Sequence, residues 1–398
     1  MFQMKNILSQ VDIERLYQHI LKIEGVKHPI VDQEKLDETA DYIKSEFSKY
    51  GLKVEEQNFN VEGFDQPFRN IEGYREDSSG PEVLITSHYD TVMNSPGAND
   101  NGSAIAIMLE AARIIAKEEI TDNIRFVSFT LEELSPSIDL KILKYANELE
   151  LINDDFSFKT YHTQELSKKI SDQAYKNAAF GKSLAEAWRL AIKKFELELT
   201  NHEKKYFEKL SHLYSNANHI SWIGNTAMIG SSEWVAKAMK DKRKIIGVIN
   251  NETVGYTSTR KNSQTFPPLM HPILFPSYKV KLFKKIGNFI TVVGDKESKL
   301  LGKTFCNQCK RESVQLPFIR IRIPVSFETL TKRFFDLLRS DHAPFWREGI
   351  PALMITDSAN FRYSFYHTEA DTIDKLDFEF IKKVCQVTIA TALDYAKK

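Results

Sequence analysis

The segment EVLITSHYDTVMNSPGANDNGSAIAIMLEAARIIAKE, residues 82–118, joins three kinds of local pattern. Its first six residues, EVLITS, are rich in apolar and β-branched side chains, which predicts a buried strand. The next part, HYDTVMNSPGAND, is rich in proline, glycine and asparagine and predicts a loop. The remainder is apolar on a wide face at helical spacing and predicts a buried helix. Strand, loop and helix in this order indicate the α/β class.

Strands and helices alternate along most of the remaining chain. The runs NIRFVSFT (123–130), KIIGVIN (244–250), NFITVVGD (288–295) and GIPALMITD (349–357) each predict a strand. Shorter β-rich runs, KVEEQNF and FRNIEGY, come before residue 82. Because helical patterns separate several of these runs, we expect an α/β sandwich with a largely parallel sheet.

The composition is that of an ordinary globular protein. Of the 398 residues, 54 are basic and 54 are acidic, so the formal net charge is zero and no broad field favours nucleic acid or an anionic membrane. No run of about 18 apolar residues predicts a membrane span. The first residues lack the layout of a signal peptide, which predicts a cytoplasmic protein, or a secreted one if a leader has been removed.

The cysteines do not form the disulfide scaffold of a small secreted protein, because there are only three of them. Cys306 and Cys309 lie in the sequence CNQC, and Cys385 is far from them. No second pair follows, so a zinc knuckle is the weaker interpretation. Two plain thiols and one short local disulfide both remain open.

Residues 136–226 interrupt the alternation with a long helical segment. They carry almost no strand signal and many lysine and glutamate residues. Within them a series of mostly apolar side chains is spaced by three or four residues, which predicts one continuous stripe on a long helix. The members of this series are Leu184, Trp188, Ala191, Phe195, Leu199, His202, Tyr206 and Leu210. The stripe predicts packing within the segment, closure over a cleft or contact with a second subunit.

Candidate metal ligands follow the predicted strands at their carboxyl ends, where functional groups gather in open α/β sheets. Histidine or acidic residues follow EVLITS, NIRFVSFT, KIIGVIN and GIPALMITD, and one more lies where a loop enters a helix. These residues are His88, Asp90, Asp100, Glu132, Glu133, Glu252 and His367. Four strands that carry such residues at the same end are hard to ascribe to chance.

Five of these residues form a set of two imidazoles and three carboxylates: His88, Asp100, Glu133, Glu252 and His367. This nitrogen and oxygen set suits zinc, and it suits two ions better than one because an aspartate can bridge. Two Zn²⁺ ions carry four positive charges, which three carboxylates and one hydroxide balance. A pair of ions about 3.5–4 Å apart is the two-metal arrangement of hydrolases.

Two acids remain outside this set. Asp90 is placed to accept the second ring N–H of His88 and so to fix its tautomer, the usual support of a metal-bound histidine. Glu132 adjoins a predicted ligand but projects differently from it. Because a carboxylate beside a metal-bound water acts as a general base, the sequence predicts Glu132 as the base.

The motifs SHYDTV, PGANDNGSA, LEEL, NNETVG, RSDHAPFWREGIPALMITD and YHTEADT together resemble the co-catalytic di-zinc aminopeptidases of the aminopeptidase S and aminopeptidase Y type. The segments GVKHP and NFITVVGD are also similar, and the resemblance covers roughly residues 1–135 and 227–398. It implies a single zinc peptidase domain over residues 1–398. The implied fold is a central mixed, largely parallel sheet with helices on both faces.

By the family pattern, each of two zinc ions has three protein ligands. His88, Asp100 and Glu252 would hold one ion. Asp100, Glu133 and His367 would hold the other, so that Asp100 bridges the pair.

The resemblance also assigns roles around the ions. Glu132 falls on the base position, and Tyr366 falls where some members use a tyrosine to stabilise the oxyanion. A cis peptide bond is implied between Asp100 and Asn101. One departure concerns Glu252, where members commonly have aspartate, because the longer side chain can shift the site for the substrate's free amine.

A second departure is the length of the chain after the two adjacent acids. In the family this pair is soon followed by GLLGS, whereas the similar AMIGSSEW begins here at Ala227. Residues 136–226 are therefore predicted as a helical insertion of about 90 residues that starts at the rim of the active site. A lid over the cleft and an arm for a homo-oligomer are both predicted uses.

These residues predict a zinc exopeptidase with two Zn²⁺ per chain, and first of all an aminopeptidase that acts on a peptide or an amino-acid amide. A metal-bound hydroxide would attack the carbonyl, and Glu132 would move the proton. The alternative is a carboxypeptidase or an N-acyl amidohydrolase, in which Arg362 near Tyr366 binds a substrate carboxylate; otherwise Arg362 forms a structural salt bridge. Glutaminyl cyclase, a single-zinc branch, and an inactive binding module fit the complete ligand set less well.

Overall fold

The computed structural model describes residues 2–118, 122–180, 182–214, 221–266 and 285–398. The strands in these ranges are β1 (Lys53–Phe59), β2 (Phe68–Tyr74), β3 (Ser79–His88), β4 (Asp122–Phe129), β5 (Ile245–Glu252), β6 (Ile290–Gly294), β7 (Phe318–Arg322) and β8 (Ala352–Thr356). The helices are α1 (Phe2–Ser9), α2 (Ile13–Ile23), α3 (Gln33–Lys49), α4 (Ala104–Lys117), α5 (Pro136–Glu148), α6 (Tyr161–Ala179), α7 (Leu184–Lys194), α8 (Asn201–Leu213), α9 (Trp222–Asn225), α10 (Ile229–Lys240), α11 (Lys299–Cys309), α12 (Phe327–Arg333), α13 (His342–Arg347) and α14 (Phe378–Tyr395).

The strands form one sheet in the order β1-β2-β4-β3-β5-β8-β6-β7. The four central strands, β4, β3, β5 and β8, pair in parallel, and so do β6 and β7. The pairs β1–β2, β2–β4 and β6–β8 are antiparallel. The prediction of a mixed, largely parallel sheet in an α/β fold is therefore confirmed.

The central strands bury side chains on both faces of the sheet. Along β3, Val83 and Ile85 pack in one apolar cluster and Leu84 packs in another, because successive strand residues point to opposite faces. The first cluster includes residues of α2, α3, α4 and α14, and the second includes residues of α7, α10 and α13. Helices thus cover both faces, which explains the nearly continuous apolar sequence of the parallel strands.

The segment 136–226 contains the packed helices α5, α6, α7 and α8. The prediction of one long helix across residues 184–210 is wrong. α7 ends at Lys194, a short 3₁₀ turn follows, and α8 begins after Thr200, whose side chain forms a capping box with Glu203. The apolar spacing crosses this break because buried side chains of α7 and α8 face the same cluster. The bounds of a separate insertion, and its use as a lid or an arm, stay predictions.

Two smaller expectations concern the thiols and the membrane. Cys306 and Cys309 lie in α11 as buried free thiols, so the interpretation as plain thiols holds, and burial raises the pKa of Cys306 to about 11. In the described ranges, no helix combines the length and the apolar character needed to cross a membrane.

Candidate metal centre

The centre lies at the edge of the sheet where the parallel strands β3, β4, β5 and β8 end. His88 is the last residue of β3, and Glu252 is the last residue of β5. Glu132 and Glu133 come shortly after β4, and His367 comes from the loop after β8. Because parallel strands present their carboxyl ends at the same edge, residues far apart in the sequence meet here.

Asp100 reaches this edge from the loop between β3 and α4. The peptide bond between Asp100 and Asn101 is cis, as the resemblance implied. The backbone N–H groups of Asn99 and Asp100 donate to the two carboxylate oxygens of Asp371, at 2.9 and 3.1 Å. The sequence analysis gave Asp371 no role, although it belongs to the same motif, YHTEADT, as His367.

Two groups of ligand atoms share the carboxylate of Asp100. His88 Nε2 lies 3.4 Å from Asp100 Oδ1 and 3.4 Å from Glu252 Oε2. His367 Nε2 lies 3.1 Å from Asp100 Oδ2 and 3.3 Å from Glu133 Oε1. Within each group of three residues, one ligand atom per residue falls within 4.8 Å of the others. The structure brings the five predicted ligands together, and the two oxygens of Asp100 face different histidines.

Several polar atoms of these groups are buried without a hydrogen-bond partner in the described part of the chain. They are His88 Nε2, His367 Nε2 and both carboxylate oxygens of Asp100. Leaving such atoms unsatisfied costs free energy, and cations placed between them would satisfy all four at once. Imidazole nitrogen and carboxylate oxygen are ligands of zinc, so the residues present fit a zinc centre.

The density of charge in the centre shifts the pKa values of its members. Burial by itself would lower the pKa of His88, but Glu252 and neighbouring carboxylates raise it well above the ordinary value. Burial opposes ionisation of Asp100, yet the two histidines hold its pKa well below the ordinary value. Against burial, Glu133 and Asp100 raise the pKa of His367 to about 10. Carboxylates therefore dominate the local field, which favours a cation at this point.

Glu132 lies at the border of this cluster. Its Oε2 atom is 3.8 Å from His88 Nε2, farther than the oxygens of Asp100 and Glu252. Burial raises the pKa of Glu132 well above its ordinary value; His88 opposes this shift, and Glu252 and Glu133 add to it. A buried carboxyl group that borders the ligand atoms is placed to take a proton from a water there, so its position suits the predicted base.

Asp90 supports the centre differently from the prediction. His88 Nδ1 lies 3.2 Å from the backbone carbonyl oxygen of Asp90 and 3.5 Å from its carboxylate, so the carbonyl is the nearer acceptor of the ring N–H. The carboxylate accepts the backbone N–H groups of Glu132 and Glu133 at 3.1 and 3.2 Å. Asp90 therefore ties the loop after β4 to the loop after β3, and so positions the two adjacent acids.

A chain of buried hydrogen bonds holds Glu252. Ser340 Oγ donates to Glu252 Oε2, Asn250 Nδ2 donates to Ser340 Oγ, and Thr86 Oγ1 donates to Asn250 Oδ1, each at 2.8 Å. This chain of hydrogen bonds orients the carboxylate of Glu252. The sequence analysis missed Ser340, although it lies in the quoted motif RSDHAPFW.

Tyr366 stacks on a predicted ligand. The centroids of its ring and the His367 imidazole are 3.8 Å apart, with an angle of 18° between the planes. Burial raises the pKa of Tyr366 well above its ordinary value, and Asp100 adds to the shift, so the hydroxyl stays protonated at neutral pH. A protonated hydroxyl at this place can donate a hydrogen bond to a developing oxyanion.

Arg362 is 7% exposed, and its guanidinium group makes several contacts inside the protein. Nε donates to Gln264 Oε1 at 2.8 Å, and Nη1 donates to the carbonyl oxygen of Phe289 at 2.7 Å. The group also lies 4.5 Å from the centroid of the Phe289 ring. These contacts favour a structural role over the predicted contact with a substrate carboxylate, and the named partners are neutral rather than acidic.

A cavity of about 70 Å³ adjoins the metal centre, and Glu252 and Tyr366 both line it. Part of the remaining wall is apolar and consists of Val293, Ile321, Leu337 and Met354. Asp336 and Arg339 add one acidic and one basic side chain. The sequence analysis did not single out either of these charged residues.

The sequence is similar to a peptidase family and to two bacterial proteins. It matches Peptidase family M28 over residues 70–143 and 303–392. It is 22% identical to the uncharacterized protein YfbL of Escherichia coli (strain K12) over 360 residues, which are 88% of this chain and 78% of that protein. It is 33% identical to Aminopeptidase YwaD of Bacillus subtilis (strain 168) over 120 residues, which are 29% of this chain and 26% of that protein.

Solved structures share the fold at low sequence identity. The LapA aminopeptidase of Legionella pneumophila has a TM-score of 0.57 and 15% identity, with 100% of this chain and 75% of that chain covered. A Zn-dependent exopeptidase from Parabacteroides distasonis has a TM-score of 0.54 and 14% identity, with 96% and 98% covered. The glutaminyl cyclase of Porphyromonas gingivalis gives the same values.

The sequence match, the fold and the ligand geometry lead to one conclusion. The ranges that match the family contain His88, Asp100, Glu133 and His367, and Glu252 lies outside them. The fold is that of zinc exopeptidases. The chain is therefore a zinc-dependent metallopeptidase related to Peptidase family M28 and to the co-catalytic zinc aminopeptidases.

Proposed function

We propose that the protein is an aminopeptidase that uses two zinc ions per chain. The observation that carries this proposal is the carboxylate of Asp100, whose two oxygens face His88 on one side and His367 on the other. Glu252 completes the first group of three ligands, and Glu133 completes the second. An aspartate that bridges two cations needs this arrangement.

The side chains around the ligands supply the rest of the chemistry. Zinc ions bound here would polarise the scissile carbonyl and lower the pKa of the attacking water. Glu132 takes the proton of that water and returns it to the leaving amine. Tyr366 donates a hydrogen bond to the oxyanion. Asp90 positions Glu132 through its backbone, so that the base is in place before the substrate binds.

Removal of N-terminal residues is supported by similarity to proteins that carry this activity in their names. YwaD and LapA, which this chain resembles in sequence and in fold, are both named aminopeptidases. No nucleic acid or membrane partner is proposed. Self-association through residues 136–226 and a cytoplasmic location stay predictions.

Glutaminyl cyclase is the second candidate, because the Porphyromonas gingivalis enzyme of that name shares the fold. By the family resemblance, that activity goes with a single zinc ion. His88 lies within 3.4 Å of both Asp100 and Glu252, which favours two ions and hydrolysis. The carboxypeptidase and N-acyl amidohydrolase alternatives lose the contact predicted for Arg362, because its Nε and Nη1 atoms donate to groups inside the protein.

A panel of substrates with added zinc tests the proposal. It contains a peptide with a free amine, the same peptide N-acetylated, and a peptide that begins with glutamine. We expect stepwise release of N-terminal residues from the free peptide and no cleavage of the acetylated one. An Asp100→Asn variant, which lacks one bridging oxygen, should be inactive. Conversion of glutamine to pyroglutamate without hydrolysis would support the cyclase, and cleavage of the acetylated peptide would contradict the aminopeptidase.

A further inference from the structure

Arg339 is placed beside the metal centre but has no part in the function proposed above. It precedes Ser340, whose hydroxyl orients Glu252, and its own side chain lines the cavity that Glu252 and Tyr366 also line. The side chain is 19% exposed. A cationic group therefore forms part of the wall of a small cavity at the edge of the reaction site.

The guanidinium group of Arg339 makes no hydrogen bond to any residue that the structure describes. Its nearest acidic neighbour is Asp336, and the distance from Arg339 Nη1 to Asp336 Oδ1, 3.8 Å, is too long for a hydrogen bond. Burial raises the pKa of Asp336, with Arg339 opposing, which disfavours the charged form of the acid and weakens this pairing. The planar fork of N–H donors that arginine offers to a carboxylate thus remains available.

Arg362 provides the contrast within the same region. Its Nε and Nη1 atoms donate to Gln264 and to the carbonyl oxygen of Phe289, and Arg362 is not among the residues that line the cavity. Arg339 lines the cavity and lacks such hydrogen bonds. Of these two arginines, Arg339 is the one that can meet an anionic group of a substrate.

Tyr175, a residue of the helical segment 136–226, contacts the guanidinium group of Arg339. The centroid of its ring lies 5.0 Å from Arg339 Cζ, a cation–π contact that orients the group without using its N–H donors. Tyr175 belongs to α6, which also contacts the 3₁₀ turn Phe335–Leu338 that leads to Arg339. The segment that interrupts the family pattern therefore contacts an arginine that lines the cavity.

We propose that Arg339 binds a carboxylate group of the peptide substrate and that Tyr175 orients Arg339 for this contact. This inference rests on the proposed aminopeptidase function. The carboxylate has two possible sources, the side chain of an N-terminal aspartate or glutamate and the free C-terminus of a dipeptide. In both cases the apolar wall, with Val293 and Met354, contacts the carbon atoms next to it.

Binding to matched ligand pairs tests the inference and separates the two sources. The first pair is Glu-Ala amide and Gln-Ala amide, and the second is Ala-Ala and Ala-Ala amide. Dissociation constants are measured by calorimetry on the zinc-loaded Glu132→Gln variant, so that turnover does not interfere. We expect one pair to show a preference of about 10- to 100-fold for the carboxylate member, the usual worth of a hydrogen bond to a charged group.

Variants assign this preference to the two residues. Arg339→Leu should abolish it, and Arg339→Lys should keep a part because lysine provides a point charge without the fork. Tyr175→Leu should reduce the preference, whereas Tyr175→Phe keeps the ring and should preserve it. Arg189→Leu, on the exposed face of α7, is the matched control and should change nothing.

Three results would overturn the inference. The first is equal binding of both members in both pairs. The second is an Arg339→Leu variant that weakens both members equally. The third is tighter binding of Lys-Ala amide than of all these ligands, lost in Asp336→Asn, because the cavity would then bind a cation. If the preference is present but the unmodified enzyme hydrolyses none of these peptides, the proposed function fails and the binding role of Arg339 stands.

Discussion

Glu132 and Glu133 are neighbours in sequence but have different surroundings. Glu133 Oε1 lies 3.3 Å from His367 Nε2, in the group of ligand atoms that Glu133 forms with Asp100 and His367. A third group joins Glu133 to His88 and Glu132. Glu132 Oε2 lies at the border of the cluster, 3.8 Å from His88 Nε2. Asp90 holds both backbone N–H groups, which fixes the divergence of the two side chains. One carboxylate is thus suited to hold a cation and the other to carry a proton.

Substitution of each acid by glutamine separates these roles. Glu132→Gln keeps the size of the side chain but cannot accept the proton, so it should retain zinc and lose roughly 10²–10⁴ in kcat. The change should fall on kcat more than on KM, because the proton moves in the transition state. Glu133→Gln should instead lower the zinc content, and excess zinc should restore part of its activity.

Elemental analysis and steady-state kinetics on both variants decide the assignment. Full activity in Glu132→Gln would exclude it as the base. Loss of zinc from Glu132→Gln together with full zinc in Glu133→Gln would reverse the two roles.

At the residue scale, the sequence predicts which side chains meet but not how they are supported. His88 and Glu252 could be placed because each lies at the carboxyl end of an evident strand. The supporting roles of Ser340 and Asp371 depend on loops whose paths no local pattern describes. For the same reason no local pattern indicates that the backbone carbonyl oxygen of Asp90 lies nearer to the His88 ring nitrogen than its carboxylate does.

At the scale of elements, the loop between β3 and α4 places the bridging aspartate. Its backbone is held by Asp371, which accepts the N–H groups of Asn99 and Asp100 and the hydroxyl of Tyr363. The conformation of the loop therefore depends on Asp371, which lies near the C-terminal end of the sequence. We expect a substitution of Asp371 to lower the affinity for zinc, although Asp371 is not a ligand.

Asp371→Ala removes the acceptor of two backbone N–H groups and should lower zinc affinity by about 10- to 100-fold, the usual effect of losing a group that orients a ligand. Tyr363→Phe removes only one hydrogen bond to Asp371 and is the milder control. Competition with a zinc-binding dye measures both variants. Unchanged zinc affinity in Asp371→Ala, with the fold intact by circular dichroism, would show that the loop keeps its geometry without this anchor.

Helix α2 contains a buried histidine that makes stability depend on pH. His19 is 3% exposed, its Nδ1 lies 2.7 Å from the hydroxyl oxygen of Tyr42, and burial lowers its pKa to about 4. Between pH 6.5 and 4 the unfolded chain binds a proton at this position and the folded chain does not, so stability is complete above pH 6.5 and falls as the pH is lowered towards 4.

A His19→Gln variant should lose this contribution to the pH dependence. For the lowered pKa of His19, the contribution to the free energy of unfolding is at most about 3 kcal/mol. The measurement is the free energy of urea unfolding at several pH values, with metal-free protein so that release of zinc does not contribute. Burial also lowers the pKa of His342 to about 4. Because both proteins contain His342, its contribution to the pH dependence is the same in both and cancels in the comparison. Parallel curves for the variant and the unmodified protein would contradict this role of His19.

Element boundaries in the segment 136–226 show where the sequence pattern was insufficient. The spacing of apolar side chains was right about the buried face of α7 and about Tyr206, which pack into the second cluster, whereas His202 is exposed. It was wrong about continuity, because Thr200 and Glu203 form a capping box that starts a new helix. Such a box is visible in the sequence, but an apolar period that passes through it conceals the break.

At the scale of the whole molecule, the sheet and its two helical layers follow from the alternation of strands and helices, whereas the surface of the helical segment does not. Among the described residues, several large apolar side chains on this segment are exposed. They are Tyr161, Phe180, Leu190 and Leu197. Side chains of this kind in one segment are consistent with its predicted use as an arm for self-association.

This use predicts a homo-oligomer that charge at the exposed positions disrupts. A Tyr161→Glu, Leu197→Glu double variant should have the mass of one chain by light scattering, with unchanged stability because neither side chain is buried. Leu300→Glu, at an exposed position of α11, is the matched control and should keep the oligomer. A single-chain mass for the unmodified protein would rule out the arm.

We propose that five side chains hold two zinc ions, with Asp100 between them. Diffraction from crystals of the zinc-loaded protein, recorded on both sides of the zinc absorption edge, locates the ions. Two anomalous peaks should appear about 3.5–4 Å apart. One carboxylate oxygen of Asp100 should lie about 2.0–2.2 Å from each peak. A single peak, or two peaks of which Asp100 contacts only one, would rule out a pair of zinc ions bridged by Asp100.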